Sequence, residues 1–501
     1  MKSLVEYDTV KRFIMNDIPF EIVRNPPPIH CLSLPLLPSV GNIIAPAIEY
    51  NNECDLTRLK HSPICHWFVK IARDPININD EMFVNPKKNK IDTVSCTFLD
   101  EKSRTFLVDG HTYRGSGATF EPSAEDVSRK IVAIIDFGED FPVYYAVSHF
   151  PILEYKPVIT QDQVEWCGSN PTFETGPIIR VLSYNVLADH YLNLALDQPN
   201  LMFNYCPKIY QRAAYRIPLV LCQLRDFARS SVSIFFLQEV DFTRKFNYVE
   251  ILFNSLGFEC YHVKKGKQVN EGTIIAFDKN RFEFVSTNSF EVPDLIFDEP
   301  ENEEVRRILD CSKEVKKRVM SRPTVLQIVT IRDKPTNSIL MCANIHLPFN
   351  PKEEYIKPLL ALVAVKKLIK EKADTTTQFP NNAVKLIFGG DFNSIPGGPV
   401  FELLTKGSID NKHECWSLNN SIRAEHLKLP NIEPLTLLSG VPSYTNFTKD
   451  FVGSIDYIWG RDVTLYRNCP MPSHASVSEH IAIPSKTCPS DHLPIIVDVM
   501  L

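Results

Sequence analysis

The run VKLIFGGDFNSIPGGP, from Val384 to Pro399, constrains this chain more than any other stretch. Val384 to Phe388 is short and mostly apolar, the mark of a buried strand. Gly389 and Gly390 are expected to stop it. Asp391, Phe392 and Asn393 follow, and Pro396, Gly397 and Gly398 turn the chain away. A strand that presents a carboxylate and a carboxamide at its C-terminal end is where α/β sheets place their chemistry. Asp and Asn are also ordinary turn residues, so the stretch gains meaning only when other stretches answer it.

Several do. From Ile178 onward, strand-like and helix-like segments interleave. Ile178 to Leu187 (IIRVLSYNVL), Ser233 to Val240 (SIFFLQEV), Glu271 to Phe277, Leu340 to His346 (LMCANIH), Phe451 to Trp459 and Leu493 to Val499 read as strands. Helices are expected over Ile209 to Arg229 (kinked at Pro218), Val249 to Leu256 and Glu353 to Lys372, with the charged Glu301 to Met320 a helical surface excursion. Such alternation implies helices packed on a layered sheet core, not a bundle. Residues up to about Tyr155 are β-rich and punctuated by proline. There, Lys130 to Asp136 and Pro142 to Val147 form an expected hairpin around Gly138. His61, His66 and His111 of this region lack metal-ligand spacing and take no role. Thr160 to Pro177 is polar and aperiodic. The expected organisation is therefore a β-rich domain over 1–159, a linker over 160–177 and an α/β domain over 178–501.

Composition narrows the partners. The 501 residues leave room for two or three domains, and 44% hydrophobic with 23% charged residues is ordinary for a globular protein. A net charge of −6 means no global basic field, which speaks against coating long nucleic acid and permits an enzyme acting on an end. Thirteen cysteines without a CxxC pair fit neither a zinc cluster nor a disulfide framework, so free thiols are expected. The most apolar stretch, Cys31 to Ile48, is broken by Pro35, Pro38 and Pro46, and no membrane partner is expected. Met1 to Asp8 carries neither an apolar signal core nor an Arg-rich amphipathic helix, so no organelle address is evident.

Polar residues recur at the ends of the apolar strands. They are Asn185 in SYNVLAD, Glu239 in LQEVD, Asn344 and His346 in ANIHLPF, Asp391 and Asn393 in GDFNS, Asp456 in GSIDYIW, and Asp491 and His492 in PSDHLP. Each alone has a plain reading: Asn185 caps a turn, Glu239 pairs with a lysine, His346 is a satisfied core histidine, Asp491 begins a turn. Recurrence shifts the balance, because folds avoid burying carboxylates and imidazoles. Oxygen donors without cysteine suit a hard cation, Mg²⁺ or Mn²⁺. Two histidines, each with an aspartate available, suit proton transfer or stabilisation of a phosphoryl group. Together they describe metal-assisted hydrolysis of a phosphate ester.

In order and approximate spacing, YNVLAD, LQEVD, NIHL, GDFNS, SIDYI and PSDH resemble the endonuclease/exonuclease/phosphatase superfamily, from about Ile178 to Leu501. YTNF at Tyr444 to Phe447 and MPSH…IPS…PSDH resemble its deadenylase branch. VRNPP at Val23 to Pro27 is similar to the N-terminal region of the members that degrade 2′,5′-oligoadenylate and trim poly(A), and no leucine-rich repeat is present. The resemblance implies a four-layer α/β sandwich with a smaller β-rich N-terminal domain. It further implies a Mg²⁺-dependent 3′→5′ exoribonuclease or phosphodiesterase, with Mn²⁺ the alternative, acting on 3′ or 2′ ends of single-stranded RNA or oligoadenylate and releasing AMP. By the same resemblance Glu239 is the principal metal ligand, with Asn185 beside it and Asp491 next to the metal. Asp391 positions or deprotonates the attacking water, and Asn393 holds a phosphoryl oxygen. His492, oriented by Asp456, contacts the scissile phosphate, and His346 stabilises it from the other side. Pro351 and Phe451 match the branch's adenine-holding pair, although Pro351 also reads as a helix start and Phe451 as core. Pro348 and Phe349 depart from the pattern beside His346. The resemblance implies the mitochondrial matrix, with the cytoplasm the alternative, and no other protein partner is inferable.

Competing readings are another phosphoesterase of the superfamily or a silent adenylate-RNA binding module. Net acidity speaks against a duplex-DNA nuclease. GSIDYIWG lacks the tryptophan- and arginine-rich motif of inositol phosphatases, and a sphingomyelinase stays open. A silent module has no physical reason to keep repelling carboxylates together.

Overall fold

The computed structural model describes residues 12–15, 18–21, 29–34, 38–50, 64–74, 96–100, 105–138, 143–154, 158–170, 176–241, 245–266, 269–418 and 429–501. Val23 to Pro27 and His61 lie outside the described residues. The chain divides into two compact units: 1–40, 44–77 and 87–154 form the first, and 41–43, 78–86 and 155–501 the second.

The first unit contains an antiparallel sheet of β1 (Ile64–Lys70), β2 (His111–Ser116), β3 (Ile131–Asp136) and β4 (Tyr144–Val147), in the order β4-β3-β1-β2. β3 is buried along its whole length, and it pairs antiparallel with β4. Trp67, Val69, Ile131, Ala133 and Ile135 carry the core of this unit.

The second unit is built on two six-stranded sheets. One contains β5 (Ile178–Asn185), β6 (Ile234–Asp241), β7 (Phe258–Lys264), β8 (Glu271–Asp278), β15 (Thr464–Asn468) and β16 (Ile495–Met500), ordered β7-β8-β6-β5-β16-β15. The other contains β9 (Phe282–Glu291), β10 (Val325–Asp333), β11 (Ile339–His346), β12 (Val384–Asp391), β13 (Thr436–Leu437) and β14 (Asp456–Arg461), ordered β9-β10-β11-β12-β14-β13. Their inner faces meet through Val181, Phe236 and Ile275 on one side and Val329, Cys342 and Ile387 on the other. On the outer face of the first sheet, Leu182, Phe235 and Leu237 pack with α1 (Gln161–Ser169), α2 (Ala213–Arg229) and α3 (Lys245–Ser255). On the outer face of the second, Met341, Leu386 and Phe388 pack with α4 (Val292–Asp298), α5 (Glu303–Asp310), α6 (Lys313–Met320), α7 (Ile356–Gln378) and α8 (Pro399–Lys406). The result is helix, sheet, sheet, helix: the expected four layers. Because the central strands are covered on both faces, they read as continuous apolar runs. Among the described residues no helix is long and apolar enough to cross a membrane.

Four local expectations change. Residues 161–169, read as linker, form α1. Its buried Gln163 and Cys167 stand four apart on one face, a pattern too short to register in a polar nine-residue segment. Residues 303–320 are not a surface excursion, since Val305, Ile308, Leu309, Val315 and Val319 enter the core. The helix expected from Ile209 breaks at the extended Arg212 and runs on through Pro218. Gly389 and Gly390 do not stop β12, which continues to Asp391. They are instead where other backbone and side chains come too close for a Cβ, which would lie 2.6 Å from Phe236 Cδ2 at Gly389 and 2.1 Å from the Ile345 carbonyl oxygen at Gly390.

Candidate active site

Strand register collects the polar residues. β11 and β12 are parallel with His346 opposite Asp391, and β12 and β14 are antiparallel with Asp391 opposite Asp456. Three residues distant in sequence thus form one row at the edge of the second sheet. The first sheet contributes from the facing edge. β5 ends on Asn185, and β6 bulges between Leu237 and Val240 with Glu239 at a positive φ of 57°. A left-handed glutamate inside a strand is strained, and a bulge is the usual device for re-aiming a side chain. Here it turns Glu239 toward the other sheet.

The side chains meet. Asn185 Nδ2 donates to Glu239 Oε1 at 2.9 Å and to Asp391 Oδ2 at 3.0 Å, while Asn185 Oδ1 accepts from Leu187 N at 3.0 Å. In this orientation Asn185 braces the two carboxylates, and the oxygen that a cation would need is turned to the backbone. His346 Nε2 lies 3.6 Å from Asp391 Oδ2 and 3.9 Å from Glu239 Oε1. Asn393, at a positive φ of 46°, gives its backbone N–H to Asp391 Oδ1 and its Nδ2 to the Leu347 carbonyl, both at 2.9 Å. On the opposite side of Asp391, His492 Nε2 lies 3.7 Å from Asp391 Oδ2, and His492 Nδ1 lies 2.8 Å from Asp456 Oδ2. Thr445 donates to the same Asp456 oxygen at 2.6 Å. Asp491 Oδ2 accepts from Asn446 Nδ2 at 3.1 Å and lies 4.0 Å from His492 Nε2. All eight expected metal and catalytic residues therefore converge on one rim. Pro351 and Phe451 stand outside this polar network on exposed turns, Phe451 at 40% exposure.

Burial and crowded charge shift the titrations. Burial, then the Glu271 and Asp491 carboxylates, push Glu239 up to about 8. Burial, then Asp456, push Asp391 up to about 7. Burial, then Lys265 and His492, hold His346 well below the ordinary histidine value. Burial by itself would lower His492 as well, but Asp456, Asp491 and Asp391 outweigh it and hold that ring well above the ordinary value. Such pairs of groups pushed apart are characteristic of catalytic sites.

The donor set fits a divalent cation. Glu239, His346 and Asp391 offer ligand atoms within 4.8 Å of one another, as do Asp391, Asp456 and His492. Asp491 Oδ1 and Asp456 Oδ1 are buried with no hydrogen-bond partner among the described residues. Oxygen donors that repel one another and lack partners are what a hard cation satisfies.

The sequence reading missed the residues that hold this set. Lys265 Nζ lies 2.9 Å from His346 Nδ1, Glu271 Oε1 lies 3.3 Å from Lys265 Nζ, and the Tyr191 hydroxyl donates to Glu271 Oε1 at 2.7 Å. Lys357 Nζ donates to the Asn393 carbonyl at 2.5 Å. The one available signal was Glu271, a carboxylate at the head of a strand that otherwise reads as wholly apolar.

With this geometry in hand, the class follows: residues 182–492 match the endonuclease/exonuclease/phosphatase family, and the chain belongs to it. It is a hydrolase, and enzymes of this family generally depend on a divalent metal. Human 2′,5′-phosphodiesterase 12 is 25% identical over 97% of this chain and 75% of its own length. The CCR4-Not complex 3′-5′-exoribonuclease subunit Ccr4 of Schizosaccharomyces pombe is 24% identical over 62% of this chain and 48% of its own. Among solved structures, the 2′,3′-cyclic phosphatase ANGEL2 is similar over 64% of this chain and 95% of its own, at 19% identity and a TM-score of 0.49.

Proposed function

We propose that this chain is a Mg²⁺-dependent 3′→5′ exoribonuclease and phosphodiesterase that removes AMP from adenylate-rich ends, both 2′,5′-oligoadenylate and poly(A). The observation that carries the reading is the convergence of Glu239, His346, Asp391, Asn393, Asp456, Asp491 and His492 on one rim. The names of the relatives, a 2′,5′-phosphodiesterase and a 3′-5′-exoribonuclease, support the substrate class. Glu239 and Asp491 would hold the cation, with Asn185 bracing Glu239. A bound Mg²⁺ supplies charge stabilisation at the phosphoryl and leaving oxygens.

The side chains do the rest. Asp391, raised to about 7, is matched to accepting a proton from the attacking water near neutral pH. Water attacks phosphorus, the P–O bond to the preceding ribose breaks, and the released ribose oxygen takes a proton from solvent to become a hydroxyl, with AMP as the other product. His492, kept cationic by Asp456, donates to a non-bridging phosphoryl oxygen, and Asn393 and His346 hold the phosphate from the other side. Pro351 and Phe451 would clamp the terminal adenine by its faces.

The test is product analysis with Mg²⁺ on 2′,5′-linked and 3′,5′-linked adenylates, beside duplex DNA, an inositol phosphate and sphingomyelin. AMP release that disappears in Glu239→Ala is expected. No release from either adenylate, or release indifferent to that substitution, overturns the reading.

A further inference from the structure

Lys357 is the second residue of α7, and its placement runs against two rules at once. A cation at a helix N-terminus meets the positive end of the dipole, and a buried ammonium gives up its hydration. Yet the first turn of α7 carries no acidic residue, and the Lys357 side chain is 4% exposed. Lys366, Lys367, Lys370 and Lys372 of the same helix pair with carboxylates in the ordinary way, their side chains 10–42% exposed. Lys357 Nζ instead spans two groups. It lies 2.6 Å from Glu354 Oε2, and it donates to the Asn393 carbonyl oxygen at 2.5 Å.

Asn393 follows β12 at a φ of 46°, a left-handed conformation that asparagine tolerates better than most residues without preferring it. The peptide before it gives its N–H to Asp391 Oδ1 at 2.9 Å, and its side chain gives Nδ2 to the Leu347 carbonyl at 2.9 Å. Both ties stay within the row of strand ends. The peptide after it gives its carbonyl to Lys357, in the helical layer on the outer face of the sheet. Relaxation of Asn393 toward right-handed φ would disturb the carbonyl at the ammonium and the N–H at Asp391 together. While that turn is held, Asp391 Oδ1 is engaged and Oδ2 faces Asn185 at 3.0 Å and the two imidazoles at 3.6 and 3.7 Å. The Glu354 side chain is 21% exposed, and pairing with it alone would not require the lysine to be buried.

We propose that Lys357 is a positioning residue that holds the Asn393 peptide in its left-handed turn and, through the Asn393 N–H, sets the Asp391 carboxylate in the orientation that water activation requires. Its consequence for kcat rests on the phosphodiesterase reading, whereas the hold on Asn393 is independent of any substrate.

Hydrogen exchange at the Asn393 backbone amide, read by NMR in chelator on the full chain carrying ¹⁵N-asparagine, tests the hold. The signal is identified by its loss in Asn393→Asp. Exchange in Lys357→Met is expected to be at least about 10-fold faster than in the unsubstituted protein, with part of the protection recovered in Lys357→Arg. The amide of Asn344, inside β11, should stay as slow as before, since only a general loosening would raise both. Glu354→Gln, which keeps the donor on the carbonyl, should change Asn393 exchange by less than about 3-fold. Unaltered Asn393 exchange in Lys357→Met, acceleration shared by Asn344, or equal acceleration in Glu354→Gln overturns the proposal. On an adenylate substrate with Mg²⁺, Lys357→Met should lower kcat about 10- to 100-fold while KM moves by less than about 3-fold. An unchanged kcat, or a loss confined to KM, also overturns it. Where Lys357→Met does not fold, Lys357→Gln takes its place in both measurements. Its amide stops one bond short of the carbonyl, so the same directions are expected and unaltered exchange overturns the proposal. If the unsubstituted protein hydrolyses no adenylate, the phosphodiesterase reading fails while exchange still decides the hold on Asn393.

Discussion

His346, at the end of β11, meets the ammonium of Lys265 at 2.9 Å, whereas His492, ahead of β16, meets the carboxylate of Asp456 at 2.8 Å. Both rings are buried, and both turn Nε2 to the same oxygen of Asp391, at 3.6 and 3.7 Å. Burial pushes both toward the neutral form, and the charges beside each ring then separate them. The lysine drives His346 further down, and three carboxylates carry His492 up. The site thus holds one imidazole biased toward the neutral form beside one biased toward the cation, a division that neither residue type nor burial would create.

The largest effect should come from removing the cationic member. His492→Ala is expected to lower kcat by about 10³- to 10⁴-fold, the range of a lost charged proton-transfer or phosphate-binding group. Next, Asp456→Asn should lower kcat by about 10²- to 10³-fold. It should also move the alkaline limb of the pH–rate profile down. With His492 acting as the cation in the proposed mechanism, activity is expected to fall as pH rises through its raised pKa, and to fall at lower pH without Asp456. His346→Gln, which keeps a neutral donor, should cost no more than about 10²-fold. Equal losses at the two histidines, measured by steady-state kinetics on one substrate, would break the comparison.

A smaller effect sharpens the electrostatic side of it. Glu239, at about 8 in the folded protein, keeps a proton that the unfolded chain has already lost between the ordinary carboxylate value and about 8. The contribution of Glu239 to the stability of the metal-free protein therefore falls as pH rises through that window and is constant below it. Melting curves in chelator should show this decline, and Glu239→Gln should lessen it, with Asp391 and His492 supplying the remainder. Mg²⁺ should raise the melting temperature of the unsubstituted protein more at pH 8 than at pH 6 and that of Glu239→Gln little. The smallest effect belongs outside the polar row. Phe451→Ala should raise KM for adenylate about ten-fold with kcat nearly unchanged, since stacking on one ring contributes affinity and no chemistry.

Much of the site is legible in the sequence. The strand ends carried Asn185, Glu239, His346, Asp391, Asp456 and His492 in view, because an apolar run ending on a carboxylate or imidazole stands out against what folds bury. The layering followed from strands too apolar to be exposed on either face. What stayed hidden had weak local signals. α1 is only nine residues long and polar, and Gly389 and Gly390 read as a stop because close packing against Phe236 has no local signature. Asn185 was in view, yet the direction of its amide was not, since that depends on the Leu187 N–H and on two carboxylates from other strands.

By itself the sequence determined the inventory: which polar groups end the strands, the hard-cation chemistry they favour, and the family. Only the tertiary structure decided what each group faces. Asp456 lies 36 residues from His492, and Lys265 lies 81 residues from His346. Strand register and a hairpin held by a close glycine contact bring those pairs within 3 Å. At that range neighbouring charges, added to burial at His346 and set against it at His492, bias each imidazole one way, so the charge of each histidine is a property of the fold.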